Sequence, residues 1–83
     1  MRAIERVAQL LAEINFVLIT GGANTRRVLR NTTRIAEALN YHCDVFYSYS
    51  AIIITVYHNN TQEKETIVKS IPHHGVNFNA ISD

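Results

Sequence analysis

Most of the residues able to do chemistry lie in one stretch, TGGANTRRVLRNTTRIAEAL, from Thr20 to Leu39. Arg26, Arg27, Arg30 and Arg34 are guanidinium forks suited to carboxylate or phosphate. Thr25 beside them offers a hydroxyl, either as a hydrogen-bonding group or, given a base within reach, as a nucleophile. Two readings of the arginines compete. One is a solvated helix face, with Arg30 and Arg34 able to pair with Glu37. The other is a basic stripe for phosphate, acidic lipid or nucleic acid. The whole chain holds 8 Lys plus Arg against 7 Asp plus Glu, and no aromatic residue is interleaved among the arginines, which argues against nucleic acid.

Elsewhere the chemistry is thin. The adjacent His73 and His74 do not converge on one metal as an i, i+4 pair does, and His42 and His58 stand in no fixed relation to them, so no metal site is expected. Cys43 is the single cysteine. It can form no internal disulfide, which fits a reducing compartment, and it reads as a buried, inert thiol. There is no phosphate-binding glycine loop, no cysteine pair with zinc spacing and no serine in a nucleophile-elbow context, so no cofactor is expected. Glu5, Glu13 and Glu37 read as helix surface, leaving no general acid and base pair.

The elements that must position these residues follow from periodicity. Ile4, Val7, Leu10, Leu11, Ile14, Val17 and Leu18 recur at helical spacing, with Arg2, Glu5, Gln9 and Glu13 opposite and Phe16 among the polar residues as an exposed aromatic. Gly21 and Gly22 end that helix through positive φ. Asn24 or Thr25 then caps a second helix, whose core side is Val28, Thr32, Ile35, Ala36 and Leu39 and whose outer side is Arg26, Arg30, Arg34 and Glu37, with Arg27 at the flank. Asn40 is a left-handed stop. Tyr41 to Ser48 and Ser50 to His58 predict a β-hairpin, and Glu65 to Ile71 a third strand stopped by Pro72. Asn77 or Asn79 starts a further helix.

The expectation is an α+β fold, with two N-terminal helices on one face of a three-stranded antiparallel meander and the start of a C-terminal helix. At 83 residues this is a single domain, 1–83. A hydrophobic content of 47% with 18% charged residues places it among globular chains and outside the disordered class. No run approaches the roughly 18 to 20 apolar residues of a membrane span, so the fragment reads as soluble. In the middle strand, neither Ile52, Ile54 and Val56 nor Ala51, Ile53, Thr55 and Tyr57 form a polar face. The second sheet face therefore predicts self-association or a missing neighbour.

The order of these signatures resembles the soluble N-terminal domain of the threonine/serine exporter family of bacterial membrane proteins. The resemblance rests on Gly22-Ala23-Asn24-Thr25-Arg26-Arg27-Val28, Arg34-Ile35-Ala36-Glu37-Ala38-Leu39, Asp44-Val45-Phe46, Ile52-Ile53-Ile54, Glu65-Thr66-Ile67 and Gly75-Val76-Asn77, and covers nearly the whole chain. An acidic residue usually follows the Arg-Val pair in the family, whereas here Leu29-Arg30 stand there. The resemblance implies a domain at the cytoplasmic face of the inner membrane, preceding transmembrane helices that move threonine and serine out of the cell. It offers Gly22, Thr25 and Arg27 as ligand-binding residues, beside the basic face of Arg26, Arg30 and Arg34 that the helical spacing places on the second helix. It also implies one partner, the transmembrane portion of the same protein; further copies of the chain, through the sheet or Phe16, are expected from the residue pattern itself. The function expected is regulatory or assembly-related and non-catalytic. The alternative is a small hydrolase acting on peptide or amide bonds, as suggested for family members.

Overall fold

The computed structural model describes residues 2–72; the expected C-terminal helix, His73, His74 and Gly75-Val76-Asn77 lie outside the described residues. The elements run α1 (Ala3–Thr20), α2 (Thr25–Ala38), β1 (Tyr41–Tyr47), β2 (Ala51–His58) and β3 (Lys64–Ser70). The strands form an antiparallel sheet in the order β1-β2-β3, as the strand pattern predicts. Both helices lie on one face, α1 over β2 and β3 and α2 over β1.

Local chemistry sets the boundaries. The Glu5 carboxylate accepts the Arg2 N–H at 2.9 Å at the start of α1. At its end, Gly22 has φ 95°, while the Gly22 N–H donates to the Ile19 carbonyl and the Ala23 N–H to that of Leu18. These two bonds satisfy the last carbonyls of the helix as a Schellman motif does, and the positive φ explains the glycine. Asn24 caps α2, its Oδ1 accepting the Arg27 N–H at 3.2 Å. Asn40 at φ 70° ends it, and the Asn40 carbonyl accepts the Asn59 N–H, tying this corner to the β2–β3 turn.

Ile4, Ala8, Leu11 and Ala12 of α1, Val28 and Ala36 of α2, and Ile52, Ile54 and Val56 of the central strand are buried. A side chain of this size contributes about 1.5–3 kcal/mol when fully buried. The α1 stripe is rotated from the one hydropathy predicts, because Ala8, Ala12 and Asn15 face the sheet while Leu10, Val17 and Leu18 are 49%, 55% and 37% exposed. Small side chains let a helix approach a sheet closely, and here proximity wins over hydropathy. Leu10, Ile14, Val17 and Leu18 instead line, with Glu13, an apolar groove of about 300 Å³ on the outer side of α1. Phe16 is not the exposed aromatic expected. It is half-buried, with the Lys69 ammonium 5.2 Å from its ring centre and bound to Glu13 at 3.0 Å. Leu39, expected in the core, is 45% exposed at the end of α2.

The second sheet face is built of cross-strand rows. Phe46, Ile53 and Val68 form an apolar row, with Phe46 and Val68 62% and 61% exposed. Asp44, Thr55 and Thr66 form the next, with the two threonine hydroxyls bonded at 2.9 Å. His42, Tyr57 and Lys64 form the third, with the His42 and Tyr57 rings stacked at 4.7 Å. The half-apolar character predicted for this face is therefore confined to one row. Among the described residues no helix is long and apolar enough to cross a membrane.

Candidate functional site

The start of α2 and the end of β1 enclose a cleft of about 520 Å³, lined by Asn24, Thr25, Arg26, Leu29 and Tyr47. Its position follows from the caps. Gly22 turns the chain out of α1, Asn24 fixes the first turn of α2, and Thr25 and Arg26 become the first two helical residues, beside Tyr47 across the sheet edge. The free N–H groups of a helix start and the Arg26 guanidinium give this end positive potential, and no acidic residue lies in the first turn to offset it. A carboxylate is the natural complement.

Of the residues singled out from sequence, Thr25 and Arg26 line the cleft. Gly22 shapes the approach without lining it, and Arg27 contributes its main-chain N–H to the cap while its side chain is exposed. Arg30 and Arg34 are exposed further along α2. Among the described residues, the ion pairs involve Arg2 with Glu5, Glu63 and Glu65, and Lys69 with Glu13. The pairing of Arg30 and Arg34 with Glu37 does not form, so α2 presents four arginines without an ion-pair partner among the described residues.

Sequence reasoning missed what stands behind the cleft. Tyr47 donates its hydroxyl to Asn15 Oδ1 at 2.5 Å; Asn15 Nδ2 donates to Thr32 Oγ1 and to the Leu11 carbonyl, both at 2.8 Å; and the Thr32 hydroxyl donates to the Val28 carbonyl at 2.7 Å. Asn15 is 0% exposed and Thr32 1% exposed. Every polar group of the two buried side chains thus has a partner, and one path joins β1, α1 and α2. The signal was faint: one asparagine at an inner position of an otherwise apolar helix.

The arrangement holds ligands more readily than it breaks bonds. Neither a carboxylate nor an imidazole lines the cleft beside Thr25. The Ser48 hydroxyl exchanges bonds with the Ala51 main chain, His58 Nδ1 accepts the Asn60 N–H, and His42 Nδ1 meets Asn59 Oδ1 at 3.1 Å. Neither the Thr25 and Ser48 hydroxyls nor the Cys43 thiol is paired with a histidine among the described residues, as nucleophilic catalysis requires. Cys43 faces the helices, half-buried; burial, then the Asp44 charge, raises its thiol above the ordinary 9.0, against a hydrogen bond with Thr33. This suits the inert role expected. Burial likewise raises the Tyr47 hydroxyl above 10.0, so it remains a donor at neutral pH. No group of three or more metal-ligating side chains converges among the described residues.

No curated protein and no solved structure matches this chain. The family described as "Putative threonine/serine exporter" matches residues 9–83, from the middle of α1 through the sheet and beyond it, and the chain belongs to that threonine/serine exporter family.

Proposed function

We propose that this chain is a cytoplasmic regulatory and assembly domain of a bacterial threonine/serine exporter, non-catalytic by itself, whose cleft at the start of α2 senses a small amino acid. Membership in an exporter family links the chain to a membrane transport system. The observation that carries the sensing role is the cleft itself. Arg26 and the open helix start suit an amino acid's carboxylate, Thr25 suits its hydroxyl, and neither a carboxylate nor an imidazole lines the site to act as a base. The lining is coupled to the rest of the domain, because Tyr47 is bonded through Asn15 to both helices. Ligand contact with Tyr47 is thereby transmitted to the packing of α1 against α2, and onward to the membrane portion of the exporter at the cytoplasmic face of the inner membrane.

The test is an amide chemical-shift titration with L-threonine, L-serine and, as a control, L-leucine. Localised shifts at Gly22 to Arg27 and at Tyr47 with threonine and serine alone are expected, and Thr25→Ala abolishes them. Absence of shifts at millimolar ligand, or equal shifts with leucine, overturns the sensing role. The hydrolase alternative has no comparable support, since neither Thr25 nor Ser48 meets a base.

A further inference from the structure

We propose that two copies of this chain join edge to edge through β3, making one continuous antiparallel sheet with a two-fold axis at Ile67. The proposal gives the assembly part of the function above a specific surface, and rests on the sheet edge alone.

Among the described residues β3 has only β2 as a neighbour. The direction of its backbone groups follows from two bonds at the ends of the ladder, Ile71 N–H to the Ser50 carbonyl and His58 N–H to the Glu63 carbonyl. Antiparallel bonding alternates, so Glu65, Ile67 and Lys69 turn their main-chain groups towards β2, while Lys64, Thr66, Val68 and Ser70 turn theirs outward. That outward row is a pairing template unless something blunts it.

The side chains select the partner and the register. With the axis at Ile67, Thr66 pairs with Val68 of the second copy and Lys64 with Ser70 of the second copy, using the outward groups. The intervening positions place Glu65, which within its own chain holds Arg2, opposite Lys69 of the second copy, which within its own chain holds Glu13, so that each intrachain pair extends across the seam, twice by symmetry; Ile67 lies opposite itself. These are non-hydrogen-bonded pairs, in which side chains approach most closely and opposite charges stabilise. Moving the axis by one residue sets Glu65 against Ile67 or Ile67 against Lys69, losing both the ionic and the apolar match. The strand is thus charge-complementary to itself in one register, as a two-fold interface requires.

The helices fit the same arrangement. Since α1 lies over β2 and β3, it and its copy lie about two strand spacings apart, close to 10 Å, within the range of packed helices. Phe16, which leans over Lys69 on this side, falls towards the seam between them.

The experiment uses the 83-residue chain. Sedimentation equilibrium is expected to show a dimer, and Val68→Pro to abolish it with an unchanged circular dichroism spectrum, because the Val68 N–H faces outward and its loss leaves the β2–β3 ladder intact. Glu65→Lys and Lys69→Glu each weaken the dimer at least tenfold, and the double exchange restores it. In a Cys43→Ser background, mixing Thr66→Cys and Val68→Cys chains gives a disulfide-linked dimer, whereas neither variant links to itself. A monomeric wild-type chain, a folded Val68→Pro dimer, or equal self-linking by Thr66→Cys overturns the proposal.

Discussion

Replacing Asn15 by Leu measures what the buried polar path contributes. The side chain is wholly buried, and its removal breaks three bonds, to Tyr47, to Thr32 and to the Leu11 carbonyl. The Leu11 carbonyl keeps its helical partner, and the Thr32 hydroxyl keeps its donation to Val28. What remains unmet is the Tyr47 hydroxyl and one lone pair on Thr32. A buried group left without a partner costs about 1–3 kcal/mol, and Tyr47 is only half-buried, so a net loss of about 2 kcal/mol is expected after the gain from the added apolar surface. For a domain of this size that lowers the melting temperature by roughly 8–16 °C. Urea unfolding followed by circular dichroism should show a lower midpoint with an unchanged slope. The stronger test is the triple variant Asn15→Leu, Thr32→Val, Tyr47→Phe. With every partner made apolar, it should recover about 1–2 kcal/mol relative to Asn15→Leu alone. A single variant as stable as the wild type, or a triple variant weaker by the sum of its parts, would refute the reasoning.

Three further perturbations follow from the local geometry. Gly22→Ala is expected to destabilise by about 1 kcal/mol or more although nothing lies within 4 Å of the added methyl, since the cost is the positive φ alone; equal stability by urea titration would contradict this. Asn24→Ala removes the cap of α2 and should lose about 1 kcal/mol, whereas Asn24→Ser should lose little, as read from the same titration. The Tyr57 hydroxyl is raised above its ordinary 10.0, chiefly by its hydrogen bond to Asp44 and then by burial and the Asp44 charge. The folded form therefore holds this proton more tightly than the unfolded one. The contribution to stability is fully present below about pH 10 and is lost as pH rises through the folded value. Asp44→Asn should move the phenolate absorbance transition to lower pH; an unmoved transition would sink the assignment.

Much of the fold was legible because its signals are local. Four arginines on one side of α2, the β-branched run of β2 and the turn chemistry of Gly22 and Asn40 each act within a few residues, and each lies where the sequence places it. The inner face of α1 was not legible. Its buried residues include Ala8, Ala12 and Asn15, whose role depends on closeness to the sheet, while the more apolar Leu10, Val17 and Leu18 lie outside. The candidate site divides in the same way. Thr25 and Arg26 stand out in the sequence, but Tyr47 reaches the cleft by strand pairing, and its bond to Asn15 spans 32 positions. Periodicity carries no information over that distance.

The position of α1 over β2 and β3 has a consequence for how the chain is made. The first helix leaves the ribosome about forty residues before the strand that completes its cover, a delay on the order of a few seconds at typical synthesis rates of about 5–20 residues per second. During that interval Ile4, Leu11 and the outer Leu10 and Val17 are all bare, so the nascent segment is apolar on both sides. Truncation before Glu63 makes that state permanent, since it removes Ile67, which packs against the core, and the Glu63 and Glu65 partners of Arg2. A shortened chain should therefore cling to chaperones or membranes instead of persisting as a smaller, weaker version of the same domain.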